Sequence, residues 1–196
     1  EKFWISLADY KKKNRKQNQQ DFKNENYFGL IRNYSRMSWI IPLLFGCSPV
    51  VCESFLSGNT SRFKKMFKGT YYVPNGTSLR MSDIGYKNKN QSALKISYDS
   101  LDCYVRSLKK AITTPYPEYE AIGLYDGTNR IQLSTNVLQI ENEYYSSIRP
   151  KRADYSSQRP SKGLKHHGVE YVEMRALDVD ILDPYGINID SLLFCE

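Results

Sequence analysis

The chain has 196 residues, of which 40% are hydrophobic and 25% charged, enough for one sizeable domain with an ordinary core. Its longest apolar run, Trp39 to Phe45, is interrupted by Pro42 and is too short to span a bilayer, and no secretory signal is visible. The four cysteines form no Cys-x-x-Cys pair and lie far from His166 and His167, which excludes zinc-ligand spacing and suits a reducing, cytoplasmic setting.

The net charge of +7 is concentrated near the N-terminus, in Lys11-Lys12-Lys13-Asn14-Arg15-Lys16. A basic run with 16 tyrosines in the chain raises the alternative of a basic, Tyr-rich nucleic-acid-binding module. No RNA-binding signature follows, so a solvated face is favoured. The same excess suits anionic small ligands such as nucleotide phosphates.

The segment Lys11 to Gln20 reads as mobile or as a polar helix. Tyr27, Leu30, Ile31, Tyr34, Met37 and Ile41 then recur at helical spacing, and Pro42 should kink or end that helix. Ser48-Pro49 reads as N-cap and first turn of a second helix, Val50 to Leu56, stopped by Gly58. Lys68 to Pro74 is a short extended piece, with Asn75-Gly76 as a turn. Leu101, Tyr104, Val105, Leu108, Ala111 and Ile112 share one helix face, followed by Pro115. After the turn Asp126-Gly127, alternation at Ile131, Leu133 and Thr135 predicts a strand, and Val137 to Tyr145 a second extended stretch. Pro150 to Lys165 reads as a basic polar loop. A last strand runs from Val169 to Asp180. Asp190-Ser191 would cap an apolar helix beginning at Leu192, and the chain starts at Glu1 without Met, so a fragment of a longer protein is expected. The fold class is α+β, with helices first and strands after; no strand–helix–strand alternation with a glycine-rich turn supports a Rossmann fold or a P-loop.

Three segments could carry chemistry. In the last strand, residues two apart share a face, which puts Tyr171, Glu173, Arg175 and Leu177 together opposite Val172, Met174 and Ala176. Glu173 could hold a divalent cation and Arg175 could stabilise a phosphoryl group in transit, although spacing alone favours a surface ion pair. Thr77 to Tyr86 offers Arg80, several hydroxyls, Asp83 and Tyr86 in a loop that could clamp an amino-acid carboxylate, or be an ordinary connection. Glu141-Asn142-Glu143, beside Tyr144-Tyr145, could face a metal or a nucleotide, or be an exposed strand end.

Five blocks, taken jointly, resemble the bacterial glutamate–cysteine ligases of the proteobacterial type (γ-glutamylcysteine synthetases). They are Ile31-Arg32-Asn33-Tyr34 followed by Trp39 to Gly46; Thr77 to Tyr86; Asn136 to Glu143; Ile148-Arg149-Pro150-Lys151-Arg152; and Glu170 to Arg175. They run through nearly the whole chain, while the polar residues 1–25 match poorly, so residues 1–196 are expected to be a single partial domain, the central part of a longer ligase. The resemblance implies a glutamine synthetase-like fold, a curved, mostly antiparallel sheet with packed helices, here incomplete. It implies ATP-dependent joining of the γ-carboxyl of L-glutamate to L-cysteine through γ-glutamyl phosphate, the first step of glutathione biosynthesis, with ATP and Mg2+ required. Carried over by position, Arg175 is the catalytic arginine at the transferring phosphoryl group and Glu173 a magnesium ligand. Arg80 is a glutamate-binding arginine, Tyr86 and Tyr145 line the cysteine pocket, and Asn142 lies near the nucleotide. The implied partners are small molecules, with no nucleic acid and no membrane, acting on a monomer. Several metal-binding carboxylates and a histidine of the family have no counterpart here, so the 196-residue piece alone is expected to be inactive.

Overall fold

The structure is a computed structural model that describes residues 18–56, 61–86, 91, 94–153 and 159–196. The basic run Lys11 to Lys16 and the expected stop at Gly58 lie outside those residues; of the segment Lys11 to Gln20, Gln19 and Gln20 belong to a helix. The chain divides into two compact units, Glu1–Ser35 with Leu94–Glu173 and Arg36–Ala93 with Met174–Glu196. The elements are helices with short strand pairings, so the α+β expectation holds, and among the described residues the strands form three small sheets.

In the first unit the core is built between α1 (Gln19–Met37) and α3 (Leu101–Ala111). The periodicity on α3 is realised: Tyr104, Val105, Leu108 and Ala111 are buried, with Leu101 and Ile112 packed at the margin. Ser100 caps the helix by accepting from the Cys103 N–H at 3.2 Å, while Asp102 in the first turn and Lys109 and Lys110 in the last complement the helix dipole. On α1 the buried stripe is Phe28 and Ile31, whereas Leu30 and Met37 are exposed. The Phe28 ring meets Tyr104 at 5.9 Å, and Leu138, Leu164 and Val169 complete the cluster.

The α1 helix also grips the backbone at residues 169–170 through side chains one turn apart. The Gln20 amide donates to the Val169 carbonyl at 3.2 Å, the Asn24 side chain accepts from the Val169 N–H at 2.8 Å, and the Tyr27 hydroxyl donates to the Glu170 carbonyl at 2.8 Å. On its other side Glu170 donates its N–H to the Lys151 carbonyl at 3.0 Å. Gly168 precedes this contact with φ +74°, a conformation that favours glycine, and a Cβ there would displace the Gln20 and Asn24 side chains from their bonds.

Several expected elements are replaced. The turn at Gly127 closes a hairpin of β4 (Tyr125–Asp126) and β5 (Asn129–Arg130), but residues 131–135 are not a strand. The Arg130 guanidinium folds back onto the carbonyls of Gln132 and Leu133, and the Gln139 side chain accepts from the Leu133 N–H at 2.9 Å, so side chains bond this backbone in place of a ladder, and Ile131 and Leu133 stay exposed. The stretch Val137 to Tyr145 is interrupted by a 3-10 turn, Glu141–Glu143, after the Glu143 carboxylate accepts from the Gln139 N–H at 2.6 Å. Within the supposed loop 150–165 stand the end of β6 (Ile148–Lys151) and helix α5 (Pro160–His167), with α4 (Pro117–Ile122) earlier in the chain. The last strand is only β7 (Tyr171–Met174), paired with β6.

In the second unit, α2 (Ile40–Phe45) follows α1, with Pro42 inside its first turn, where a missing N–H costs little. The helix expected over Val50–Leu56 is instead β1 (Val50–Cys52) and a 3-10 turn, Glu53–Phe55. The β-branched pair Val50-Val51 takes the outer place of a three-stranded antiparallel sheet, with β3 (Thr70–Tyr72) central and β2 (Lys64–Phe67) on its far side. The extended piece expected at 68–74 is that central strand, and Asn75 turns the chain at φ +62°. Leu56, Phe63 and Leu79 form a small core. Helix α6 (Ile189–Cys195) is capped by Asn188, not by Asp190 or Ser191, since the Asn188 side chain accepts from the Ser191 N–H at 2.8 Å. Among the described residues no helix is long and apolar enough to cross a membrane.

Candidate functional site

In the second unit the loop 77–86 is shaped by its own backbone. Ser48 bridges to it, donating its N–H to the Thr77 carbonyl and accepting from the Leu79 N–H at 2.7 Å. Turns at Leu79–Ser82 and Ser82–Gly85 bring the chain back until the Tyr86 N–H donates to the Arg80 carbonyl at 3.0 Å. Gly85 is packed so closely against that carbonyl that a Cβ would overlap it. The loop therefore holds Arg80 and Tyr86 together, with the guanidinium 4.8 Å from the ring centre.

Beneath this loop is Asp178, whose side chain is 2% exposed. Its Oδ2 accepts from the Cys47 N–H at 2.9 Å and the Ser48 hydroxyl at 2.7 Å, and its Oδ1 from the Ser78 hydroxyl at 3.0 Å and Arg80 Nη1 at 3.5 Å. Arg80 Nη1 also donates to the Leu177 carbonyl at 3.0 Å. Among the described residues the hydrogen bonds of the Arg80 guanidinium to the protein run through Nη1, and its other donating edge is Nε–Nη2. That edge has the spacing of a carboxylate. Nearby, Arg62 and Asp83 form a two-pronged pair at 2.8 and 2.6 Å, which lowers the Asp83 carboxyl below its usual range. Arg175 belongs to the same unit and is half-buried.

In the first unit Glu173 is half-buried, with its carboxylate 3.3 Å from Lys151 Nζ across the β6–β7 pair. Asn142 is exposed on the rim of a cleft of about 440 Å3 lined by Ile112, Leu133, Asn136, Gln139, Glu141 and Arg159. Its neighbour Glu141 is buried, and its carboxylate accepts from the Ser161 N–H at 2.8 Å and hydroxyl at 2.6 Å, capping the start of α5. Tyr145 is half-buried next to buried Tyr144, whose hydroxyl meets that of Tyr98 at 3.0 Å. Burial raises the phenols of Tyr98, Tyr104 and Tyr144 above their ordinary value.

Of the residues expected to carry chemistry, Arg80 and Tyr86 are in direct contact; Arg175 shares their unit, while Glu173, Asn142 and Tyr145 belong to the other. The sequence alone leaves Asp178 inside the strand expected over Val169 to Asp180, without a role, and gives Ser48 only as a helix cap. Nothing in the spacing marks Asp178, because its partners come from positions more than 90 residues earlier.

The family model "Glutamate-cysteine ligase" matches residues 1–196. A glutamate–cysteine ligase of Aliivibrio salmonicida is 47% identical over 99% of the chain, and one of Aliivibrio fischeri 52% identical over 88%. The crystal structure of the Francisella tularensis glutamate–cysteine ligase in complex with AMP superposes with a TM-score of 0.86 at 38% identity, covering 98% of this chain and 37% of that one. A bifunctional glutathione synthetase from Pasteurella multocida has TM-score 0.60 at 24% identity, covering 97% of this chain and 20% of that one, a likeness of fold. The chain spans 37% of the Aliivibrio salmonicida protein's length and 33% of the Aliivibrio fischeri protein's. By the match over its whole length and the identity it shares with these relatives, the chain belongs to the glutamate–cysteine ligase family.

Proposed function

We propose that this chain works as the central part of a monomeric, cytoplasmic ligase that uses ATP to join the γ-carboxyl of L-glutamate to the amine of L-cysteine through γ-glutamyl phosphate. The observation that carries the reading is Arg80, anchored through Nη1 and held over the Tyr86 ring, with its carboxylate-matching Nε–Nη2 edge outside the hydrogen bonds that anchor it, in a member of this family.

In this reading Arg80 takes a carboxylate of glutamate in two parallel hydrogen bonds. Tyr86 lines the cysteine pocket and its ring supports the guanidinium face; the same role for Tyr145 rests on the family resemblance alone. Arg175 offsets the charge that builds on the phosphoryl group as it moves to the γ-carboxylate. Asn142 lies beside the nucleotide on the rim of the 440 Å3 cleft. The AMP bound to the Francisella relative supports a nucleotide site in this family.

ATP chemistry of this class uses magnesium. Among the described residues no group of three or more His, Cys, Asp or Glu side chains could hold a metal, and Glu173 already faces Lys151 at 3.3 Å. A magnesium ion needs several oxygen ligands, so these residues do not make the site by themselves. Glu173 is proposed as one ligand of a site completed from elsewhere, and no step rests on it.

The test is an assay of glutamate- and cysteine-dependent ADP release by a polypeptide carrying this chain within the length of its relatives. Turnover is expected, with Arg80→Ala raising KM for glutamate; no turnover with these substrates overturns the reading. The 196-residue chain alone is expected to release no phosphate. A steeply salt-dependent shift of labelled RNA would favour the basic binding-module alternative instead.

A further inference from the structure

We propose that Asp178 is a positioning residue: a buried carboxylate that fixes the orientation of Arg80, and with it the affinity for the amino-acid carboxylate that Arg80 receives. The inference rests on the glutamate-binding role proposed for Arg80.

A free arginine side chain samples many rotamers, and a two-pronged grip on a carboxylate requires the guanidinium plane to be set beforehand. Two surfaces set it here. The Tyr86 ring covers one face at 4.8 Å. The Nη1 end is held by the Leu177 carbonyl at 3.0 Å and Asp178 Oδ1 at 3.5 Å, two acceptors from adjacent residues.

Asp178 can serve as a fixed reference because it is itself held by three donors besides Arg80: the Cys47 N–H, the Ser48 hydroxyl and the Ser78 hydroxyl. The two hydroxyls also relay its position to the loop backbone. Ser48 Oγ accepts from the Arg80 N–H at 3.3 Å, and Ser78 Oγ from the Met81 N–H at 3.3 Å. One carboxylate thereby orders the side chain and the main chain of the same arginine. A carboxylate with its side chain 2% exposed would be costly to keep without such partners, whereas the Arg80 side chain is 31% exposed.

The experiment is a kinetic cycle in the ligase-length polypeptide with Asp178→Asn, Arg80→Ala and the double variant. Asp178→Asn keeps the shape and removes the charge. It is expected to raise KM for glutamate by about 10–100-fold, the range of a charge-assisted hydrogen bond, while KM for ATP changes by less than about twofold. In the Arg80→Ala background the same substitution is expected to add nothing further, because its effect passes through the arginine. Equal, additive losses for every substrate would mean general disruption and overturn the proposal. If Arg80→Ala raises KM for glutamate and Asp178→Asn does not, the positioning role fails while the binding role stands. If Arg80→Ala leaves KM for glutamate unchanged, the binding role fails and this inference with it. Should Asp178→Asn not fold, Ser78→Ala decides: it removes one donor from Oδ1, should raise KM for glutamate about 3–10-fold, and overturns the proposal if that KM is unchanged.

Discussion

Arg80 and Tyr86 are tied twice, once where the guanidinium lies 4.8 Å from the ring centre and once where the Tyr86 N–H donates to the Arg80 carbonyl at 3.0 Å. Side chain and backbone thus close the same seven-residue loop. Gly85 makes this closure possible, since any Cβ there would run into the Arg80 carbonyl oxygen. Gly85→Ala is expected to destabilise the second unit by about 1–3 kcal/mol, the usual cost of forcing atoms into a packed site. A lowered urea midpoint measures it, and an unchanged midpoint would show that the loop relaxes freely.

Tyr86→Leu removes the ring while keeping apolar volume. The cation–π contact of a partly exposed pair is worth about 0.5–2 kcal/mol, so the proposed glutamate affinity should fall roughly 2–30-fold. Because Tyr86 is also proposed to line the cysteine pocket, KM for both amino acids should rise in the ligase-length polypeptide. A rise for cysteine alone would separate the ring from Arg80.

The first unit depends on the α1–α3 core. Leu108 is 1% exposed and sits beside Tyr104 in the main cluster. Leu108→Ala should cost about 2–5 kcal/mol, a transfer loss plus a cavity. Denaturant unfolding gives the value directly, and a cost under about 1 kcal/mol would mean that the cluster collapses around the gap.

Alkaline pH should act on the same unit. Burial holds the Tyr98, Tyr104 and Tyr144 phenols above the ordinary value of 10.0, so the folded state resists their ionisation while the unfolded chain does not. The stability they contribute is fully present below about pH 10 and is lost as pH rises from there toward the higher folded values. Each group adds a slope of at most about 1.4 kcal/mol per pH unit. Tyr98→Phe should make the fall of stability above pH 10 shallower by one such increment. An unchanged slope would show that Tyr98 ionises freely in the fold.

The sequence was most legible where one local rule decided the outcome. Helix α3 carries a regular apolar stripe and a following proline, and both act as expected. The α+β class and the family were legible as well, the latter from blocks spread over the chain. What failed were elements settled by distant partners. Val50-Val51 followed a plausible helix start, yet β3 recruits them into a sheet. Ile131 to Thr135 alternates like a strand, but the Arg130 and Gln139 side chains take up backbone groups of Gln132 and Leu133 that a neighbour would have needed. In the proposed site, Arg80 and Tyr86 stood out as types of residue, whereas Asp178 acquires importance only from Cys47, Ser48 and Ser78, which no spacing rule connects to it.

The grip of α1 on residues 169–170 has a consequence for how this chain meets other chains. Unpaired N–H and C=O groups on an extended segment are a template for strand addition by a second molecule. Gln20, Asn24 and Tyr27 satisfy three such groups from one side while Lys151 takes the Glu170 N–H from the other. The helix thus stands in for a neighbouring strand that cannot itself be extended. It shields this stretch from intermolecular β-pairing, a protection built from three side chains and from the one glycine that lets the helix come so near.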